Sequence, residues 1–215
     1  MKAEDYIQSI TGAERRFYSE SVRSAVRKIN GADVPVIRGY AAKYNSLSED
    51  MGGWRERISP GFFDKVLDQD VRVLRDHMST YILGRTKTPE GFEPTAWIGS
   101  DNVGLWYEYI DPQTSYSLDL KKSIDRGDVS QSSFSFLLIT AGDKWEKQDN
   151  VWVRTLLPSA AKNLFDVSPV TFPAYTNTEV ASRSFSQVNN NPSTDQVEID
   201  RDFRELDLNN LKNTK

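Results

Sequence analysis

One histidine, His77, and no cysteine limit the chemistry open to this chain of 215 residues. Without thiols there are no disulfides, thiolate zinc sites, iron–sulfur clusters or cysteine nucleophiles. A multi-histidine metal centre is excluded as well. Hydrolysis by an activated serine is one of the few schemes left. A serine hydroxyl is a poor nucleophile until a base takes its proton, and histidine is the usual base because its pKa lies near operating pH. In a histidine-dependent serine hydrolase the base must be His77. The imidazole then needs a partner that fixes its tautomer and stabilises the imidazolium. No second histidine can serve, so that place falls to a carboxylate or stays empty.

Residue types alone leave the nucleophile open. Serines crowd the segment from Val129 to Ile139, at Ser130, Ser132, Ser133 and Ser135. No carboxylate stands out among 31 acids, so glycosidase-type acid pairs cannot be picked out either. Arg85 reads equally as a residue positioning substrate or as half of a surface ion pair. The five tryptophans read as core or strand-face residues. A serine mechanism needs no metal or cofactor, and none is suggested.

The elements that must hold these residues are mostly strands. Val36–Ala42, Val71–Arg75 and Ile82–Thr86 have strand patterns, with His77 near the end of the second. Phe92–Ile98 and Leu105–Ile110 flank a turn-rich loop and predict a hairpin. Val129–Ile139 and Leu164–Val170 are further strands, and Trp145–Leu157 is a strand pair around Gln148-Asp149-Asn150. Glu14–Tyr18 is ambiguous. Two helices are predicted. One starts at Ser59-Pro60, with serine as N-cap and proline at the first helical position. The other runs from Thr114 to Arg126, with Tyr116, Leu120 and Ile124 on one face and Gly127 placed for a left-handed cap. About seven strands with a few flanking helices predict an α+β, mainly β fold, closed or nearly closed into a barrel.

The chain length suits one domain with a proper core. The net charge of −4 comes without any basic stripe, so nucleic acid is not an expected partner. No run of 18 apolar residues predicts a membrane span, and the N-terminus has no apolar stretch of the secretory type. The chain divides into an N-terminal segment at 1–33, a main domain at 34–185 and a polar tail at 186–215. The tail holds the linker-like run 189–195 and a weak amphipathic pattern of Val197, Phe203, Leu206 and Leu211.

Several blocks occur in a distinctive order. They are Ile37-Arg38-Gly39-Tyr40-Ala41-Ala42, then Asn45-Ser46-Leu47-Ser48-Glu49-Asp50, then Arg55-Glu56-Arg57-Ile58-Ser59-Pro60-Gly61-Phe62-Phe63. Asp76-His77 and Leu83-Gly84-Arg85-Thr86 follow, then Gly104-Leu105-Trp106-Tyr107 and Asp128-Val129-Ser130-Gln131-Ser132-Ser133-Phe134-Ser135-Phe136. The last runs from Phe165-Asp166-Val167-Ser168-Pro169-Val170 to Tyr175. Over roughly residues 37–181 this set resembles the tailed-phage prohead proteases, serine enzymes of capsid maturation related to the herpesvirus assemblins. Glu14-Arg15-Arg16-Phe17 resembles the usual start of such chains.

The resemblance implies an assemblin-like barrel and three roles. The family's histidine before Leu-Gly-Arg-Thr matches His77. Its nucleophile, the serine before phenylalanine, matches Ser133, with Ser132 or Ser130 if the register slips by a residue or more. The acid before Val-Ser-Pro-Val matches Asp166. Asp76, adjacent on a strand, would face away from His77. Ser135 stands where relatives often have glycine, and Arg75-Asp76-His77-Met78 replaces a more polar context. The implied partners are the major capsid protein with its scaffold segment, and the enzyme itself by autoprocessing. The implied place of action is the immature procapsid in the host cytoplasm, and the herpesvirus relatives suggest a homo-oligomer. A scaffold or capsid-assembly protein that keeps the fold without catalysis is the competing reading.

Overall fold

The computed structural model describes residues 13–18, 22–172, 185, 186 and 188. The linker-like run and the amphipathic pattern predicted in the tail lie outside the described residues.

Twelve strands and one α-helix occur among the described residues, so the fold is mainly β. A five-stranded sheet has the order β1 (Ala13–Tyr18), β9 (Gln131–Leu138), β12 (Ala161–Val170), β5 (Arg72–Arg75) and β6 (Met78–Arg85). A three-stranded sheet joins β10 (Asp143–Gln148), β11 (Val151–Leu156) and β4 (Trp54–Ile58). A four-stranded sheet joins β2 (Arg23–Ile29), β3 (Ala32–Lys43), β8 (Gly104–Ile110) and β7 (Ala96–Ser100). The β12–β5 and β11–β4 pairs are parallel and the rest antiparallel.

The structure departs from the expectations in places. The ladders among the described residues form three separate sheets and do not bear out the barrel, and the strands exceed the seven expected. β2 and β4 escaped notice because Arg-Ser-Ala-Val-Arg-Lys-Ile and Trp-Arg-Glu-Arg-Ile carry charges where an apolar alternation is sought. The predicted helix after Ser59-Pro60 is instead a run of turns over residues 60–68. Its bonds link residues three apart, Phe62 to Ser59, Asp64 to Gly61 and Val66 to Phe63. Gly61 at φ 81° is incompatible with a first helical turn. The apolar content was read correctly, since Phe63 and Val66 are buried in the core.

The second helix, α1 (Ser115–Arg126), forms as its periodicity predicts. Leu120 and Ile124 are buried, and Gly127 ends it at φ 84°, with the N–H groups of Gly127 and Asp128 donating to the Ile124 and Ser123 carbonyls.

The core sits against one face of the five-stranded sheet. In β9 the side chains alternate, and Phe134 and Phe136 point into the core. The turn segment supplies their counterparts. Phe62 meets Phe136 edge-on at 5.5 Å and Phe63 meets Phe134 at 5.2 Å. Each buried phenylalanine contributes about 1.5–3 kcal/mol. Two such pairs fix which face of β9 turns inward, and so fix the opposite face, which carries Ser133 and Ser135.

Candidate active site

His77 is delivered by a turn. Arg75 pairs with Met78 across the β5–β6 hairpin, leaving Asp76 and His77 as the loop, at φ 51° and 60°. Positive φ at both central residues matches the twist of the flanking strands. The turn is tied to the end of β12. The Asp76 N–H donates to the Pro169 carbonyl at 3.1 Å, and the Asp76 carboxylate accepts the Thr171 N–H at 2.7 Å. The expected strand geometry at Asp76 is therefore replaced by a turn, and its carboxylate is engaged with β12 rather than with the imidazole.

Ser133 and Asp166 arrive by strand alternation. In the β9–β12 ladder Ser133 lies opposite Ser168 and Ser135 opposite Asp166. All four side chains are buried, on the face away from the phenylalanines. His77 reaches this face from the hairpin tip. Its Nδ1 lies 2.5 Å from Asp166 Oδ1, and its Nε2 lies 2.6 Å from Ser133 Oγ. A carboxylate only accepts, so the pairing with Asp166 places the proton on Nδ1 and leaves Nε2 as an acceptor facing the serine hydroxyl.

Two further groups complete the cluster. The Ser168 hydroxyl donates to Asp166 Oδ1 at 3.0 Å, and its oxygen accepts the backbone N–H of His77 at 3.2 Å. The Ser133 hydroxyl also has the carbonyl of Arg16, on β1, within 2.7 Å. Asp166 further borders a groove of about 720 Å³ shared with Arg72, Leu74, Ser79, Ile82 and Phe165.

The other sequence candidates stand elsewhere. Ser132, one residue along, turns to the opposite face and pairs with the Tyr107 hydroxyl at 2.9 Å. Burial raises the pKa of that phenol, against a smaller opposing effect of the Ser132 hydrogen bond. Ser130 precedes β9 and is exposed. Ser135 Oγ and Asp166 Oδ2 are buried without a hydrogen-bond partner among the described residues. Arg85 forms a two-bonded ion pair with Asp70, at 2.9 and 2.6 Å, which is its surface reading.

Behind β1 lies a group that residue types did not reveal. Glu14 and Arg16 from β1, Glu56 from β4 and Arg154 from β11 are all buried and mutually paired. Burial would raise the Glu14 carboxyl, but Arg154 and Arg16 outweigh it and hold the pKa at about 2. The same acids raise the pKa of Arg154 against its own desolvation. Ser168 was missed too. Its only signal is position, two residues after Asp166 on one strand.

A family model described as caudovirus prohead serine protease matches residues 22–191. The chain belongs to the caudovirus prohead serine protease family. A comparison with curated proteins gives no match. Among solved structures, that of the bacteriophage T4 capsid assembly protease gp21 is similar at 9% identity and a TM-score of 0.42, covering 75% of this chain and 98% of that one. Membership in the prohead protease family makes this chain a serine protease of the capsid-maturation class, and the histidine–serine contact lies inside the matched region. No helix among the described residues is long and apolar enough to cross a membrane.

Proposed function

We propose that this prohead protease is an endopeptidase in which Ser133 is the nucleophile, His77 the general base and Asp166 the residue that orients the imidazole. The observation carrying the reading is the chain of contacts Ser133 Oγ–His77 Nε2–His77 Nδ1–Asp166 Oδ1, at 2.6 and 2.5 Å. His77 takes the hydroxyl proton as Oγ attacks the scissile carbonyl carbon. The imidazolium then gives that proton to the leaving amine as the C–N bond breaks. Water, deprotonated by His77, hydrolyses the acyl-enzyme and frees Ser133. Ser168 keeps the Asp166 carboxylate in place.

The substrates proposed are the scaffold segment of the major capsid protein and the protease itself, within the immature procapsid in the host cytoplasm. A homo-oligomer is part of the same proposal, by analogy with the herpesvirus relatives. The test is co-expression with the neighbouring major capsid protein, wild type against Ser133→Ala, read by intact mass. Truncation with wild type alone supports the reading. Truncation with both overturns Ser133, and truncation with neither, in a folded and shell-bound chain, favours the assembly-protein reading.

A further inference from the structure

Ser133 is fully buried, so a substrate carbonyl reaches it only when something moves aside. The strand lying against its hydroxyl is β1. It is the edge strand of its sheet and pairs with β9 alone, placing residue 17 opposite Ser133 and Arg16 opposite Phe134. Its departure breaks one ladder and the Arg16–Glu56 and Glu14–Arg154 ion pairs, and the edge it uncovers is a template for another extended segment that can remake both.

β1 sits on that edge much as a substrate would. The Arg16 carbonyl oxygen lies 2.7 Å from the Ser133 hydroxyl. The Arg16 side chain runs to the other face of the sheet, where its Nε and Nη2 donate to the two oxygens of Glu56 at 2.5 and 2.9 Å. Two residues earlier, Glu14 accepts two bonds from Arg154, at 2.6 and 3.0 Å. We infer that β1 occupies the place of the substrate strand, and that Glu56 and Arg154 select what is cut: an arginine just before the scissile bond, with an acidic residue two positions ahead of it.

The inference rests on the Ser133–His77 reading above. In the step it describes, Ser133 Oγ bonds to the carbonyl carbon of the basic residue. The bond from that carbon to the next residue's nitrogen breaks, and the amine leaves with the proton relayed by His77.

Burial explains why these two residues discriminate. When β1 leaves, Arg154 keeps Asp143 on its Nε at 2.5 Å and Glu56 at 3.1 Å. Glu56 loses its two-bonded partner and retains only the contact with Arg154. A buried carboxylate stripped in this way is costly, and a planar guanidinium restores both bonds where an uncharged side chain restores neither. Glu56 is therefore the stronger determinant, and arginine is favoured over lysine because only its fork spans both oxygens.

The test uses the full chain against a proteome-derived peptide library, wild type beside Ser133→Ala, with products read by mass spectrometry. The expected result is that Ser133-dependent cuts follow Arg, then Lys, with Asp or Glu enriched two positions earlier. Ser133-dependent cuts after uncharged or acidic residues overturn the inference and leave the protease reading standing. If the library is untouched, the capsid-protein cut site from the co-expression is judged by the same rule. No Ser133-dependent cut in either experiment overturns the protease reading, and the inference with it. Glu56→Gln, with its melting temperature measured alongside, is expected to slow cutting at basic sites by at least about thirtyfold. An undiminished preference for basic residues in folded Glu56→Gln overturns the role of Glu56. If that variant does not fold, the wild-type profile decides.

Discussion

Ser168 stands two residues from Asp166 on the same face of β12, and its hydroxyl donates to the carboxylate oxygen that also faces His77. The same Ser168 oxygen accepts the His77 backbone N–H. One side chain therefore holds both the carboxylate partner of the imidazole and the backbone that carries the imidazole. Ser168→Ala should lower kcat by about ten- to a hundredfold, the usual worth of a hydrogen bond to a charged group. KM for a peptide substrate should stay nearly constant. A change confined to KM would remove Ser168 from the positioning role.

Asp166→Asn should keep the fold, because the amide is nearly isosteric and uncharged in a buried place. The imidazole would then lose the acceptor that keeps its proton on Nδ1. Turnover should fall by about 10⁴-fold, as in serine proteases generally when this acid is neutralised. Steady-state kinetics with thermal melting as a folding control checks it. Unchanged turnover would exclude Asp166 as the orienting group.

Glu14 ties stability to acid pH. Its carboxyl is held at about 2, below an ordinary value of 4.5. The unfolded chain binds the proton first, so the contribution is full above pH 4.5 and is lost as the pH falls toward 2. It amounts to about 3 kcal/mol. Urea unfolding at pH 7 and pH 3 should show a steeper acid loss for wild type than for Glu14→Gln. Parallel curves would contradict the assignment.

Gly104 starts β8 where the chain passes against β3. A β-carbon there would meet the Ala42 carbonyl oxygen at 1.8 Å, so backbone must move. Gly104→Ala should cost more than about 2 kcal/mol, in the upper range for overpacking. That corresponds to a melting temperature lower by roughly 4–8 °C for a chain of this size. An unchanged melting temperature would mean that the β3–β8 ladder yields freely.

The sequence made some of this legible and concealed the rest for identifiable reasons. His77 follows from arithmetic, as there is no other histidine. The serine-rich strand was legible over Val129–Ile139, but its register was not, and the burial of Phe134 and Phe136 on one face settles which serines share the other. Which serine and which acid meet His77 came from family resemblance, because β9 and β12 pair across a long separation that no local pattern encodes. The Asp76–His77 turn was hidden because neither residue is glycine. β1 was ambiguous and β4 was hidden because Glu14, Arg16 and Glu56 occupy inward positions where an apolar pattern is sought. Their burial is intelligible only once Arg154 is beside them.

The hydrogen bonds of His77 span 56 residues to Ser133 and 89 to Asp166. Contacts of such range form late, because closing long loops costs entropy before any contact rewards it. A ribosome-bound chain has no Asp166 to offer until most of the protein has been made. Neither a nascent chain nor a fragment ending before β12 contains the grouping. If Ser133, His77 and Asp166 act as proposed, proteolytic competence is a property of the assembled sheet, and synthesis itself delays the moment at which the enzyme becomes a hazard to its surroundings.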